Sequence, residues 1–256
     1  MKRCIKFFLV LCAMMNTGIV EESMAEDTGF LARSNFSGTA TLTTDYVFRG
    51  LSQTDKNPAA QVSFDYNHPV GVFLGAWASN VANSVSEGNL EIDLYGGYKG
   101  QLSENLGFEL SAIYYWYPGG GNDPEPDYLE LHGGVNYAFA NIPLEPKIGL
   151  GLNYSPDFYG EDGNAYYING TLRLTLPYKF GLRFEVGYQN VEGDKTTGNG
   201  GGPDSEDGYD YLFWHIGLSR EILGFNLDLS YWDTNEEQYF GTIGDDLVVF
   251  TISRSF

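Results

Sequence analysis

The chain has 256 residues, a formal net charge of −20 and only two cysteines. Glycine and tyrosine are abundant and helix-forming residues are not, which is typical of an all-β protein long enough for one domain. The strong acidity argues against nucleic acid as a partner.

The N-terminal segment reads as a secretory signal peptide. Three basic residues fall within the first six, an apolar run occupies residues 7–15, and "SMA" at 23–25 is a small-x-small cleavage signal. We expect a signal peptide at 1–25, a short periplasmic segment at 26–36 and the folded domain at 37–256. Cleavage would remove Cys4 and Cys12 and change the net charge to −21, so disulfide and thiolate chemistry are excluded.

Segments in which apolar and polar residues alternate follow along the whole remaining chain. In "AAQVSFDYN", for example, Val62 and Phe64 alternate with Ser63 and Asp65, a period of two that predicts a strand with one apolar face. Each segment is close to the ~9–11 residues that a tilted strand needs to cross a bilayer. The twelve predicted strands are 37–48, 59–68, 71–79, 89–99, 106–117, 127–139, 146–154, 165–176, 181–190, 209–220, 224–233 and 246–256.

A soluble sandwich would turn the apolar faces inward, whereas an outer-membrane barrel would turn them outward. The connections favour the barrel, because short turns such as "HPVG" and "EILG" alternate with longer acidic or glycine-rich loops. We therefore predict an all-β, transmembrane, antiparallel up-and-down barrel of about twelve strands, with short periplasmic turns and long extracellular loops. The long loops are 49–58, 80–88, 118–126, 155–164, 191–208 and 234–245.

Aromatic residues gather near the strand ends, as expected for two membrane interfaces, although tyrosine also simply suits strands. The belt beside the long loops includes Tyr46, Phe48 and Trp232. The last strand ends at Phe256, and a terminal aromatic is what the barrel-assembly machinery typically recognises. These features predict a location in the outer membrane, in contact with its lipid and lipopolysaccharide.

Three runs carry a resemblance to a known family: "TDYVFRGLSQTDKNPAAQVSFDY", "GVFLGAWASNV" and "EIDLYGGYKG". They resemble the TorF family of porins, proteobacterial outer-membrane β-barrels of unknown substrate, and the similarity extends over essentially the whole mature chain. The resemblance implies a barrel with pore activity. It supplies no known substrate and no catalytic positions.

With the apolar residues outward, the polar residues of each strand line the interior. We predict passive diffusion of small hydrophilic solutes, with cation preference because carboxylates are in excess. The alternative is a structural or adhesive barrel whose narrow lumen is plugged by ion pairs. The predicted pore-lining residues are Asp65, Asp93, Glu109, Glu130, His132, Arg173, Arg183, Glu185, His215 and Asp228, and Asp45, Glu91, Lys99 and Lys147 also point inward.

An outer-membrane lipid hydrolase is a less favoured alternative. It would need a serine–histidine pair facing the lipid, but His132 and His215 are predicted to face inward and His68 to lie in a periplasmic turn. We predict no enzyme activity and no cofactor.

The long loops are acidic, but none has the spacing of a calcium loop, so we predict no metal site and favour solvated loops over loops that fold into the barrel mouth. Arg49 and Lys56, in the first of these loops, are candidates for contact with lipopolysaccharide phosphates or with neighbouring loop carboxylates.

Overall fold

The structure is a computed structural model that describes residues 29–86, 88–121, 125–193, 208–236 and 240–256. The predicted signal peptide, residues 1–25, lies outside these ranges. Contacts divide the chain into a unit Met1–Ser34 and a unit Asn35–Phe256. The second unit contains every strand described below.

Fourteen strands account for most of the described residues. The strand bounds are β1 Phe36–Thr43, β2 Val47–Phe48, β3 Leu51–Ser52, β4 Ala59–Asn67, β5 Val72–Asn80, β6 Leu90–Gln101, β7 Leu106–Trp116, β8 Tyr128–Ala138, β9 Lys147–Ser155, β10 Ala165–Leu176, β11 Phe180–Val191, β12 Tyr209–Ile222, β13 Phe225–Thr234 and β14 Leu247–Ser255. The helices described are α1, Asn83–Ser86, and the 3-10 turns Arg33–Asn35, Pro177–Lys179 and Gly241–Ile243. None of the helices in these ranges is long and apolar enough to cross a membrane.

Twelve of the strands form a closed antiparallel barrel in the order β1-β14-β13-β12-β11-β10-β9-β8-β7-β6-β5-β4. Closure comes from β1, whose residues Phe36–Thr43 pair with Tyr66–Ala59 of β4 while Thr39–Thr43 pair with Ser255–Thr251 of β14. A closed barrel pairs the backbone polar groups of every strand and leaves no free edge. The predicted fold and strand number are confirmed.

The apolar face of each strand is turned outward. Val62, Phe64, Leu94 and Phe184 are 57%, 59%, 49% and 39% exposed, whereas a soluble sandwich would bury them together. Such an exposed apolar surface around a barrel is the arrangement of proteins that sit in lipid.

Connections of two lengths alternate around the barrel, as predicted. The short ones are 68–71, 102–105, 139–146, 177–179 and 223–224, and we call their side the short-turn end. Leu223 and Gly224 both have left-handed φ, of 54° and 77°, as a two-residue hairpin turn requires. The opposite side, the long-loop end, carries the other connections, of which the structure describes residues 44–58, 81–86, 88–89, 117–121, 125–127, 156–164, 192–193, 208, 235–236 and 240–246.

The first predicted strand is too long. The sequence predicted a strand over 37–48, but β1 ends at Thr43 and the chain then leaves the barrel wall. The following residues form the separate two-stranded sheet of β2 and β3, and this departure creates the candidate site.

Candidate functional site: a hairpin across the lumen

Residues 45–54 form a hairpin, hereafter the lumen hairpin, in which Val47 pairs with Ser52 and Phe48 with Leu51. The two turn residues, Arg49 and Gly50, have φ of 48° and 84°. Left-handed φ at both central positions defines the type I′ turn that suits a two-residue hairpin. The tight turn projects Arg49 from the tip.

Gly50 is required by both conformation and space. A Cβ atom at this position would lie 2.6 Å from Phe213 Cβ and 2.8 Å from Thr234 Cγ2. Phe213 belongs to β12 and Thr234 to β13, whereas the hairpin starts from β1 and returns to β4. The tip therefore leaves the β1/β4 side and contacts the wall two and three strands away from β1. The contacts across the lumen, to β8 and β11, are made by Arg49.

Arg49 fastens the tip to the wall. Its Nη2 lies 2.6 Å from Glu130 Oε2, and its Nη1 donates to Glu130 Oε1 and to Gln189 Oε1, each at 2.8 Å. The guanidinium also lies 4.1 Å from the centre of the Tyr167 ring. Glu130 accepts further hydrogen bonds from Asn153 and Tyr115. One side chain thus joins the hairpin to β7, β8, β9, β10 and β11, directly or through one carboxylate.

The Arg49–Glu130 pair is buried, with side chains 6% and 2% exposed. Burial alone would lower the pKa of the Arg49 guanidinium, but the charge of Glu130 and the hydrogen bonds to its carboxylate outweigh burial and raise the pKa above its ordinary value. Arg49 therefore remains charged. Loss of a proton from Arg49 therefore does not break its pair with Glu130.

The base of the hairpin is held by a second polar group. Ser52 Oγ and Thr54 Oγ1 donate to Asp45 Oδ1 at 2.8 Å and 2.7 Å. Burial raises the pKa of Asp45 above its ordinary value, and these hydrogen bonds oppose part of that rise. Tyr46 donates to Glu91 Oε1 at 3.2 Å and packs against the Trp77 ring.

These contacts correct three expectations. Arg49 does not lie in a solvated outer loop available to lipopolysaccharide but is 7% exposed inside the barrel. Tyr46 and Phe48 do not join the outer aromatic belt, since they belong to the lumen hairpin, and Trp232 stacks on His215 on the inner face. The first strand was predicted past its true end, and the alternation of inner and outer faces was not applied to Trp232.

Lys56, by contrast, remains near the surface at the long-loop end. Its Nζ lies 2.7 Å from Asp245 Oδ2, in agreement with the predicted contact to a loop carboxylate. Ser84 of α1 donates to Asp55 at 2.6 Å. The residues that directly follow the lumen hairpin thus contact the neighbouring loops.

Cavities lie on both sides of the lumen hairpin. Toward the long-loop end, a cavity of about 210 Å³ is lined by Phe48, Arg49, Gln189 and aromatic side chains including Tyr117, Tyr128 and Tyr211. Toward the short-turn end lie two cavities, of about 370 and 270 Å³, lined by polar residues of the strands. Arg49 lines both the 210 and the 370 Å³ cavities, so its side chain stands between them.

A known family has a sequence model that matches residues 29–256, nearly the whole chain, and its description is "Bacterial protein of unknown function (Gcw_chp)". The chain belongs to the Gcw_chp family. No curated protein sequence matches it.

Solved structures similar to this Gcw_chp chain include outer-membrane porins. A KdgM porin in complex with disordered oligogalacturonate has a TM-score of 0.51 at 8% identity, covering 86% of this chain and 97% of that one. A NanC porin from a rhombohedral crystal form has a TM-score of 0.52 at 7% identity, covering 85% and 97%. At these identities the similarity shows the fold, that of a porin-like barrel.

The predicted pore-lining residues alternate with the exposed apolar residues of their strands and therefore lie on the inner face. Near the lumen hairpin are Asp93, Glu130 and His132, whose Nδ1 lies 2.8 Å from Asn153 Oδ1. Farther down are Glu185, which accepts from Tyr167 and Asn169, and His215, whose Nδ1 lies 3.8 Å from Glu185 Oε2. Toward the short-turn end are Asp65, Glu109, Arg173, Arg183 and Asp228.

Ion pairing within the described lumen is sparse. Besides Arg49–Glu130, only the contact between His215 and Glu185 joins an acidic and a basic group of the inner wall within 4.0 Å. The lumen is therefore occupied by the hairpin, not by the web of ion pairs between strands that the plugged-barrel alternative assumed.

Arg49, the central residue of the site, was predicted in an outer loop, and Gln189 was not predicted as a site residue. A signal was present, because "VFRGLS" sets an X-Gly pair between short apolar runs, the pattern of a two-residue hairpin. Much of the "DYVFRGLSQT" run that carries the family resemblance forms this hairpin and its anchors.

Proposed function

We propose that this protein is a porin-like channel of the outer membrane, through which small hydrophilic solutes diffuse along a lumen narrowed by the lumen hairpin. The observation that carries the proposal is that two cavities, one of about 210 Å³ lined largely by aromatic side chains and one of about 370 Å³ lined by polar and aromatic ones, meet at one side chain, Arg49. Movement of a single latched element would join them. The similarity to porins and the resemblance to the TorF family support the same proposal.

Preference for cations is part of the proposal. Asp45 within the hairpin and Glu91, Asp93 and Glu130 on the wall around it face one basic residue among the contacts described, Arg49, whose charge balances that of Glu130. The other three carboxylates would supply the negative charge at this level. Fixed negative charge at the narrowest part of a pore attracts cations and repels anions. Contacts with lipopolysaccharide, and of Phe256 with the assembly machinery, stay predictions.

The test is conductance of the refolded protein in planar bilayers under a salt gradient. We expect discrete channels whose reversal potential has the sign of cation selectivity. A reversal potential of the opposite sign would remove the cation preference, and the absence of channels from both the wild-type protein and the Arg49→Met variant would remove the channel.

A plugged structural barrel is the second candidate. It is favoured by the contacts of the lumen hairpin with walls on every side, from Trp77 of β5 to Thr234 of β13. Liposome swelling separates the two proposals. A plugged barrel would admit no small sugar or amino acid, whereas a channel would admit them at rates that fall with solute size.

A further inference from the structure

Three basic residues form a row on the inner wall near the short-turn end, hereafter the basic row. Arg173 of β10 is the direct partner of Lys147 on β9 and of Arg183 on β11. Directly opposed residues of antiparallel strands have Cα atoms about 4.5–5.5 Å apart. Three cationic side chains therefore leave the same wall side by side.

The basic row makes no close ion pair among the described residues, where no carboxylate lies within 4.0 Å of its nitrogens. Asp228 interacts electrostatically with Arg183, yet the Arg183 Nε is buried without a hydrogen-bond partner. Like charges directly opposed on neighbouring strands destabilise a sheet, so the row has a cost in stability that the Asp228 interaction offsets at one of its three members.

Lys99 gives the comparison within the same lumen. It lies on the inner face of β6, directly opposite Glu109 of β7, and its Nζ donates to the amide oxygen Oδ1 of Asn67 at 2.6 Å. The basic row differs in that its bases are opposed by one another and not by a carboxylate, and an anionic ligand would supply the opposing charge.

Two members of the row are accessible. The inner-face glycines beside it, Gly149, Gly181 and Gly217, contribute no side chain, although Thr171, Ser219 and Asp228 occupy the space where their Cβ atoms would lie. Lys147 and Arg173 are themselves exposed to the lumen. An approaching solute therefore meets the ends of the basic side chains directly.

We propose that the basic row binds soluble organic anions that carry two or more carboxylate or phosphate groups. A guanidinium presents parallel N–H donors that match a carboxylate or phosphate in two-point contact, and adjacent bases can engage adjacent anionic groups of one solute. The site faces the lumen, so its ligand is a solute and not a lipid. It goes beyond the cation preference proposed at the hairpin, because it selects a solute class at the other end of the lumen.

The experiment is calorimetric titration of the folded protein in uncharged detergent with citrate and pyrophosphate at low salt. We expect saturable binding that weakens as salt rises, a loss of at least tenfold in affinity for Arg173→Gln, and no detectable binding for Arg173→Gln/Arg183→Gln. The matched control, Lys99→Gln, removes one inner-wall charge from a position opposite a carboxylate, outside the basic row, and should keep wild-type affinity.

A second measurement guards against a variant that merely misfolds. Because Arg173→Gln removes like-charge repulsion, its melting temperature without ligand should equal or exceed that of the wild type, while the upward shift caused by citrate should vanish. Absence of saturable binding by the wild type, or an equal loss in Lys99→Gln, would overturn the proposal. Since no membrane is involved, failure of the channel proposal leaves this result unaffected, and the converse holds as well.

Discussion

Arg49 is the residue on which the interior of this barrel depends. It sits at left-handed φ, which costs a non-glycine residue about 1–3 kcal/mol when the surroundings must hold it there. Two bonds to Glu130, one to Gln189 and the face of Tyr167 supply that hold. A lysine could not reproduce the arrangement, because it lacks the planar fork.

Replacing Arg49 by methionine should release the lumen hairpin from the wall and widen the passage. We expect a several-fold rise in single-channel conductance and a loss of about 3–5 kcal/mol in the free energy of unfolding, since Glu130 is left charged and buried without its partner. Bilayer recording and denaturant titration in detergent measure the two effects.

Two controls belong with this variant. Lys56→Met breaks the half-exposed pair with Asp245 and should cost no more than about 1 kcal/mol, with unchanged conductance. Arg49→Met/Glu130→Met should recover most of the lost stability yet remain open. If the double variant conducts like the wild type, the Arg49–Glu130 pair does not limit the passage.

Gly50→Ala tests the fit of the hairpin tip. The added methyl group collides with Phe213 and Thr234, and φ of 84° is unfavourable for alanine. We expect displacement of the tip and a stability loss of about 1–3 kcal/mol, read from thermal unfolding and from new protease cleavage within residues 45–54.

The control for that variant is Gly241→Ala. Gly241 also has left-handed φ, of 60°, but nothing lies within 4 Å of an added Cβ. The Gly241→Ala variant should lose only the stability that the unfavourable φ costs, without new protease cleavage in the lumen hairpin. Equal effects in the two variants would mean that the contact of the tip with Phe213 and Thr234 is unimportant.

At the scale of the element, the lumen hairpin has little stability of its own. It has only two ladder pairs, and an isolated two-stranded hairpin is marginal in water. Its position therefore depends on docking through Arg49, Asp45 and Tyr46. Because the lumen hairpin is held mainly by side-chain contacts, we expect that it can move without disturbing the barrel wall.

Replacement of residues 45–54 by a glycine-serine linker of equal length should leave the barrel intact and enlarge the pore. β1 and β4 still pair through eight residues each, so closure does not require the hairpin. Heat-modifiable gel migration reports folding, and conductance with uptake of larger sugars reports pore size. Unchanged conductance in a folded variant would show that the hairpin does not limit the passage.

At the scale of the whole molecule, the barrel directs apolar side chains outward toward lipid and polar side chains inward to the lumen. Leu110 is 59% exposed on the outside of β7, and its neighbour Ser111 lines the 370 Å³ cavity inside. Outside, a charge must enter hydrocarbon; inside, it meets polar groups.

Leu110→Arg should therefore destabilise the barrel in lipid by about 2–4 kcal/mol near the bilayer midplane, whereas Ser111→Arg should be close to neutral. The comparison is made by reversible folding into lipid vesicles, with both variants carrying the same added charge. Equal costs, or a larger cost for Ser111→Arg, would contradict the assignment of faces.

The strands and the short turns were predictable because their signals are local. A period of two repeats within nine to fourteen residues, as in 59–67 or 209–222, and turn residues bound each segment. The end of the first strand was predicted wrongly, since alternation continues through Asp45 and Tyr46 even though the chain has already left the wall at Thr43. Alternation reports a polarity pattern and carries no information on where pairing stops.

The sequence by itself determined that this chain forms strands of membrane-crossing length with one apolar face, because both properties are written in neighbouring residues. Only the tertiary structure decided that Arg49 holds the lumen hairpin inside the barrel and is not a cation of an outer loop. Its partners Glu130 and Gln189 lie 81 and 140 residues away along the chain. The same holds for Lys147, Arg173 and Arg183, which become one row only through the register of three strands. Charge partners across a barrel are chosen by closure and register, and these arise when all twelve strands pair.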